Sequence, residues 1–213
     1  IGAGLWLWKP YIVLQSLQKA ADGDWIFYAD SAIEYISDIH SLISCAEQNH
    51  TDRMFFETSQ IARRYTKKEI LDKLKCNDRD HFQVMGGFLL FQRNSSTIEF
   101  VSEWLSLCQR EELLSYERFD LGIEEDPEFI AHREDQSILD ILVRRYGFQT
   151  FRDPSDYGIY SAKGVYCNDY INNFSNSSFP TILVLYRRDD REKYKKKYLR
   201  RLAMLKIMGG GIY

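Results

Sequence analysis

Four cysteines in 213 residues, scattered at Cys45, Cys76, Cys108 and Cys167, are too few and too far apart for a disulfide framework or a zinc site. They read as reduced thiols of a cytosolic protein. An excess of one charge is also missing. The 28 Lys and Arg stand against 31 Asp and Glu, and a net charge of −3 gives no electrostatic reason to expect a nucleic-acid partner. No apolar run approaches the ~20 residues of a membrane-spanning helix. The early Trp6, Trp8, Lys9 and Pro10 do not resemble a signal peptide. The four Asn-x-Ser/Thr sequons, beginning at Asn49, Asn94, Asn173 and Asn176, therefore read as accidents of composition. There is no internal repeat. No glycine-rich loop ends in Gly-Lys-Ser/Thr, which excludes a Walker A site. The pair Gly2 and Gly4 lacks the strand and third glycine of a dinucleotide fingerprint.

What the chain does have is apolar mass: 45% hydrophobic and 15% aromatic residues are enough to bury a substantial core. Helical spacing or capping signals predict helices over Pro10–Ala20, Ile33–Cys45, Thr66–Leu74, Thr97–Arg110 and Ser137–Tyr146, with a capping box at Thr66-Lys67-Lys68-Glu69. Short apolar runs predict strands at Trp25–Ala29, around Met54–Phe56, at Val84–Phe91 and at Thr181–Tyr186. Helices alternating with strands argue for an α/β fold with a central, mostly parallel sheet. Glu111–Glu128, acidic and carrying Gly122 and Pro127, reads as a long surface loop or lid. From Arg187 to Lys206 the chain is basic and amphipathic, which predicts a main domain over 1–188 and a helix with linker over 189–213. Such a helix is either solvated or suited to peripheral contact with an anionic membrane.

Four segments could carry chemistry. Trp25–Ala29 ends in Asp30, followed by the small Ser31 and Ala32. A carboxylate just past the carboxyl end of a buried strand can hold a divalent cation or a ribose hydroxyl, or simply cap a helix. Gly86 and Gly87 interrupt an apolar strand, which is costly unless backbone passes close to a ligand or a neighbouring helix. Glu134, Asp135 and Gln136 precede the helical run from Ile138 and are placed either as caps or as a general base with its partners. Lys9 lies between Trp8 and Pro10, where an amine could serve a phosphate or rest over packed tryptophans.

In order and spacing these segments resemble the GT-A glycosyltransferases, enzymes that use nucleotide-diphosphate sugars. The matching stretches are Gly4-Leu5-Trp6-Leu7-Trp8-Lys9-Pro10, Tyr28-Ala29-Asp30-Ser31-Ala32, Gly86-Gly87-Phe88-Leu89-Leu90-Phe91-Gln92-Arg93 and His132-Arg133-Glu134-Asp135-Gln136-Ser137-Ile138-Leu139. The likeness is greatest to small capsule- and glycan-building members, and it extends to viral capsid glycosylation by multidomain proteins. It implies a GT-A fold, a UDP-sugar donor and a glycan acceptor, with glucose or a 6-deoxyhexose such as rhamnose transferred, and Mn²⁺ or Mg²⁺ as cofactor. Donor contacts are implied for Lys9, Asp30, Ser31, Ala32, Gly86, Gly87, Gln136 and Arg187. Asp135 is the implied base of an inverting transfer, with Glu134 as alternate. The family's DxD signature is incomplete here, because Ala32 stands in place of its second Asp. A literal DxD at Asp78-Arg79-Asp80 makes Asp78 and Asp80 secondary metal candidates beside Asp30.

Three other classes compete. A phosphatase with an aspartyl nucleophile needs a second Asp two residues on, and Ala32 fails that test. A glycosidase would use paired carboxylates without nucleotide or metal. A carbohydrate-binding or scaffolding module that has lost activity accounts for Ala32 directly.

Overall fold

The computed structural model describes residues 2–161 and 174–185, together with Glu192, Lys193, Lys196, Leu199, Arg200 and Ala203. Arg187, Cys167 and most of the basic C-terminal tract lie outside the described residues. The six positions described within that tract are helical and exposed. In chain order the elements are α1 (Gly2–Leu5), α2 (Trp8–Lys19), β1 (Trp25–Ala29), β2 (Ile33–Tyr35), α3 (His40–Gln48), β3 (Arg53–Ile61), α4 (Ala62–Tyr65) and α5 (Lys68–Lys73). There follow β4 (Phe82–Gln92), α6 (Ser95–Cys108), α7 (Glu111–Leu114), α8 (Glu134–Arg145), β5 (Thr150–Phe151), α9 (Asp156–Ser161) and β6 (Leu183–Leu185).

Contacts divide the chain into two discontinuous units. One comprises Ile1–Tyr28 and Asp52–Thr150, the other Ala29–Thr51 and Phe151–Tyr213. The first is organised around a four-stranded sheet of order β1-β4-β3-β5. Its central pair, β3 and β4, is antiparallel, with Arg53 opposite Phe91 and Phe55 opposite Leu89. In the second unit β2 and β6 are also antiparallel, pairing Ile33 with Leu185 and Tyr35 with Leu183. The fold is thus mixed α/β as expected, but the pairing that organises each unit is antiparallel instead of parallel. The reason is local in the first unit. Only the short helices α4 and α5 separate β3 from β4, so no long crossover returns the chain to start a parallel neighbour.

The strand at Trp25–Ala29 forms with its expected bounds, yet all five residues are half-buried. Burial on both faces was the expectation. β1 lies at the edge of its sheet, so one side lacks a strand to cover it. The helix expected from Ile33 is another departure. Its first residues form β2, because their hydrogen-bonding partner arrives from some 150 positions later in the chain. Only from His40 does α3 begin.

The core of the first unit collects Val13 and Leu17 from α2, Phe55 from β3, Leu89 and Phe91 from β4, Phe100, Val101 and Trp104 from α6, and Ile138, Leu139, Ile141, Leu142 and Val143 from α8. Phe55 meets Phe91 at 5.7 Å and Phe100 at 5.4 Å between ring centroids, and Phe148 stacks on it at 5.8 Å. These are distances at which offset and edge contacts stabilise aromatic pairs. The α6 helix starts on a reciprocal cap. Asn94 accepts from the Thr97 amide at 2.9 Å, while the Thr97 hydroxyl accepts from the Asn94 amide at 3.1 Å. The sequon at Asn94 is accounted for by this cap. The box expected at Thr66–Glu69 does not form. Thr66 instead takes a hydrogen bond from Gln83 at 2.8 Å, and Glu69 turns to Lys67 and the 119–120 backbone.

Candidate functional site

The register of β4 sets the site. Between Glu57–Val84 and Phe55–Leu89, β3 has one residue where β4 has four, Met85 to Phe88. Gly86 and Gly87 lie inside this bulge. Bulges bend a strand and re-aim its neighbours, which glycine permits at little cost. The space a Cβ of Gly86 would take is already filled. It would lie 3.0 Å from Asp135 Oδ2, 3.3 Å from Lys9 Nζ and 3.4 Å from Gln136 Cβ. Of the two reasons for a glycine here, ligand or neighbouring helix, the observed one is the first turn of α8.

Lys9 Nζ stands 3.2 Å from Asp135 Oδ2, with both side chains almost fully buried. The amine also sits over the rings of Trp6 and Tyr28, at 5.4 and 5.7 Å from their centroids. Lys9 is therefore neither an exposed amine over tryptophans nor an open phosphate ligand; its charge is directed at Asp135. The Asp135 carbonyl accepts the Trp104 indole N–H at 3.0 Å, which locks the start of α8 onto α6. Gln136 is a staple. Its oxygen accepts from the Gly86 amide at 3.1 Å, and its NH₂ group donates to Gln60 and Gln83, each at 3.0 Å. Both amide protons are thus used within the protein.

Glu134 differs from its neighbours. Its backbone has φ +39°, a left-handed conformation uncommon for a residue with a side chain, and only 5% of its surface is exposed. Burial holds its carboxyl above the usual carboxylate range, against the opposing pull of the Tyr116 hydroxyl and the Arg133 and Lys9 cations. Interaction with the Glu134 carboxylate, together with burial, pushes the Tyr116 phenol up to about 12. Bonds to α4 and the turn after it hold the tight approach to α8. The Ile130 amide donates to the Arg64 carbonyl, the Arg133 amide to the Tyr65 carbonyl, and the Ser137 hydroxyl also to Tyr65. Next to it, His132 donates from Nε2 to the Leu113 carbonyl at 2.9 Å, and burial pushes its pKa down to about 3. This histidine is a neutral structural residue.

The Asp78-Arg79-Asp80 turn lies elsewhere in the same unit. Asp80 pairs with Arg63 at 2.5 Å, and Asp78 Oδ1 accepts the Asp80 amide at 3.2 Å. The neighbouring His81 bonds Asp140, five residues further along α8 than Asp135. A cavity of about 370 Å³ beside the turn is lined by Arg63, Lys68, Arg79, Glu124, Glu125 and Asp126. Arg63 pairs with Asp126, and Arg79 with Asp72. Asp30, half-buried, and Ser31 and Ala32, both exposed, follow β1 in the second unit. Among the described residues no three His, Cys, Asp or Glu side chains converge as a metal site. A hard divalent cation needs several oxygen ligands. Of the secondary metal candidates, Asp80 is engaged by Arg63 and Asp78 by its own turn.

Sequence reasoning brought Lys9, Gly86, Glu134, Asp135 and Gln136 to one place. It missed Tyr116, Trp104 and the relay through Gln60 and Gln83. Tyr116 lies in the acidic stretch read as a long surface loop or lid, where no periodicity marks it. No helix of the described residues is long and apolar enough to cross a membrane. No protein-family model, curated protein or solved structure matches the chain.

Proposed function

We propose that this chain is a GT-A-type glycosyltransferase that moves a hexose or 6-deoxyhexose, such as glucose or rhamnose, from a UDP-sugar to a hydroxyl of a glycan acceptor, with inversion. The observation that carries this reading is the pair of adjacent buried carboxylates at the start of α8, held in different states. Asp135 is neutralised by Lys9 at 3.2 Å, whereas the Glu134 carboxyl is lifted by burial. Two carboxylates whose environments separate them are suited to different tasks. Glu134 is the better base. In the transfer the acceptor oxygen bonds the anomeric carbon, the bond from that carbon to the diphosphate breaks, and the acceptor's proton passes to the Glu134 carboxylate. Asp135, already paired, positions the sugar. Positioned base catalysis is worth about 10² to 10⁴ in rate. Asp30 remains the candidate for the donor's ribose, on the strength of the sequence resemblance alone. No step is assigned to a metal.

A second reading, a carbohydrate-binding module without turnover, is favoured by Ala32 and by the engagement of Asp80 with Arg63. A thermal-shift series with UDP, GDP and CMP, each with and without Mn²⁺, separates the two. A ligand at a hundred times its Kd stabilises by about 2.7 kcal/mol. Stabilisation by one nucleotide supports the transferase, and no response to any of them supports the binding module.

A further inference from the structure

Arg133 is half-buried and stands directly before Glu134 in the chain. Every other arginine of the first unit has an aspartate or glutamate oxygen within 3.7 Å. Arg133 has no ion pair and no side-chain hydrogen bond among the described residues, and its Nε is buried without an acceptor. The nearest carboxylates in sequence do not close on it. Asp135 is taken by Lys9 at 3.2 Å, and no ion pair joins Arg133 to Glu134. The guanidinium is nevertheless fixed at two points. Its central carbon lies 5.0 Å from the centroid of the Tyr65 ring, and the Arg133 amide donates to the Tyr65 carbonyl at 3.2 Å.

A guanidinium resting over an aromatic ring keeps its N–H donors, which lie in its own plane, available to a further acceptor. A buried donor without an acceptor is costly and rare in native proteins. The group that satisfies a planar fork of donors best is an oxyanion, bound through two parallel hydrogen bonds. We infer that Arg133 is the oxyanion-binding residue of this site and that it holds a phosphoryl group of a diphosphate. The oxyanion site stands on the geometry; naming its ligand as the donor's diphosphate rests on the transferase reading. That assignment gives the leaving group a cation from within the first unit, whereas Arg187 lies outside the described residues. When the bond from the anomeric carbon breaks, its electron pair stays on the diphosphate oxygen. A guanidinium stabilises the added charge without giving up a proton.

The test is isothermal titration calorimetry on the full chain with pyrophosphate, UDP, uridine and glucuronate, for wild type, Arg133→Gln and Arg133→Lys. Wild type binds pyrophosphate and UDP. Arg133→Gln binds both at least about tenfold more weakly and leaves uridine unaffected, as a lost charge-assisted bond requires. Arg133→Lys keeps the charge but not the fork, and its affinity falls between the two. Equal pyrophosphate affinity in all three proteins, or no binding of pyrophosphate or UDP by wild type, overturns the inference. Loss of glucuronate instead of pyrophosphate binding in Arg133→Gln overturns it too and assigns the guanidinium to a sugar carboxylate. A lower unfolding midpoint of ligand-free Arg133→Gln with unchanged pyrophosphate affinity marks a purely structural arginine and has the same effect. A chain that binds pyrophosphate through Arg133 but turns over no nucleotide sugar loses the transferase reading and keeps this one. Turnover with UDP affinity untouched by Arg133→Gln does the reverse.

Discussion

Lys9 Nζ lies 3.2 Å from Asp135 Oδ2, and both groups rest on the backbone of Gly86, in the one stretch of β4 where the strand bulges. A helix, a strand and a second helix meet there through a buried charge pair instead of an apolar contact. Each partner therefore depends on the other for its place.

Removing one partner strands the other. Lys9→Met leaves the Asp135 carboxylate buried without the Lys9 charge and is expected to cost about 3–5 kcal/mol. Lys9→Met with Asp135→Asn removes both charges and costs less than the two single changes together. Urea unfolding of the four proteins measures the coupling, and a coupling below about 0.5 kcal/mol would contradict a buried pair.

Gly86→Ala places a methyl group where Asp135 Oδ2 and Lys9 Nζ already stand. Neither side chain has exposed space to retreat into, so the expected cost is about 1–3 kcal/mol, as for an overpacked core. A crystal structure of the variant checks the cause. The Lys9–Asp135 distance lengthens, whereas an unchanged pair would show that the site has slack.

His81 presents both ring nitrogens to acceptors: Nδ1 to the Asp78 carbonyl at 3.0 Å and Nε2 to Asp140 at 2.7 Å. Each nitrogen must donate, so the ring is an imidazolium. Burial lowers its pKa, but the Asp140 bond and charge outweigh that, aided by Asp78 and opposed by Arg144, and the net direction is up. A raised folded pKa means stability that is complete below about pH 6.5 and is lost as the pH rises through the folded value. The stability advantage of wild type over His81→Gln should shrink from pH 6.5 upward. His132, neutral until about pH 3, works oppositely, and its stability is lost as the pH falls from about 6.5 towards 3. Imidazole resonances followed by NMR should show His81 titrating above pH 6.5 and His132 silent down to acid unfolding. The reverse order would refute both assignments.

Lys67→Met leaves Glu69 buried with only the 119–120 amides as partners. The expected cost is about 3 kcal/mol or more. Amide exchange should accelerate over residues 116–120 more than in β4. Uniform acceleration would mean that the pair serves global stability and not the loop.

Much of this was legible in the sequence where the signal is local. The β1 run ending at Asp30, the β4 run with its glycines, the α6 helix and the acidic start of α8 all stand near their expected places, because apolar period and capping residues are short-range features. What escaped depends on distant partners. Ile33-Glu34-Tyr35 opens a stretch whose spacing reads as helix, but Leu183–Leu185 recruits it as a strand. The Thr66–Glu69 box fails because Gln83 and the 119–120 backbone compete for the same side chains. The backbone at Glu117 and Asp120 is held by the Lys67–Glu69 pair, about fifty residues earlier in the chain. Of the site, the residue types were readable, but the pairing of Asp135 with Lys9, more than a hundred residues away in the chain, was not.

The most direct measurement is the release of UDP from UDP-glucose and UDP-rhamnose in the presence of a glycoside acceptor, for wild type and Glu134→Gln, with UDP binding followed in parallel. The account predicts turnover by wild type and a loss of at least about a hundredfold in Glu134→Gln, with UDP binding retained. Turnover by Glu134→Gln at the wild-type rate, or no release from either donor by wild type, contradicts it.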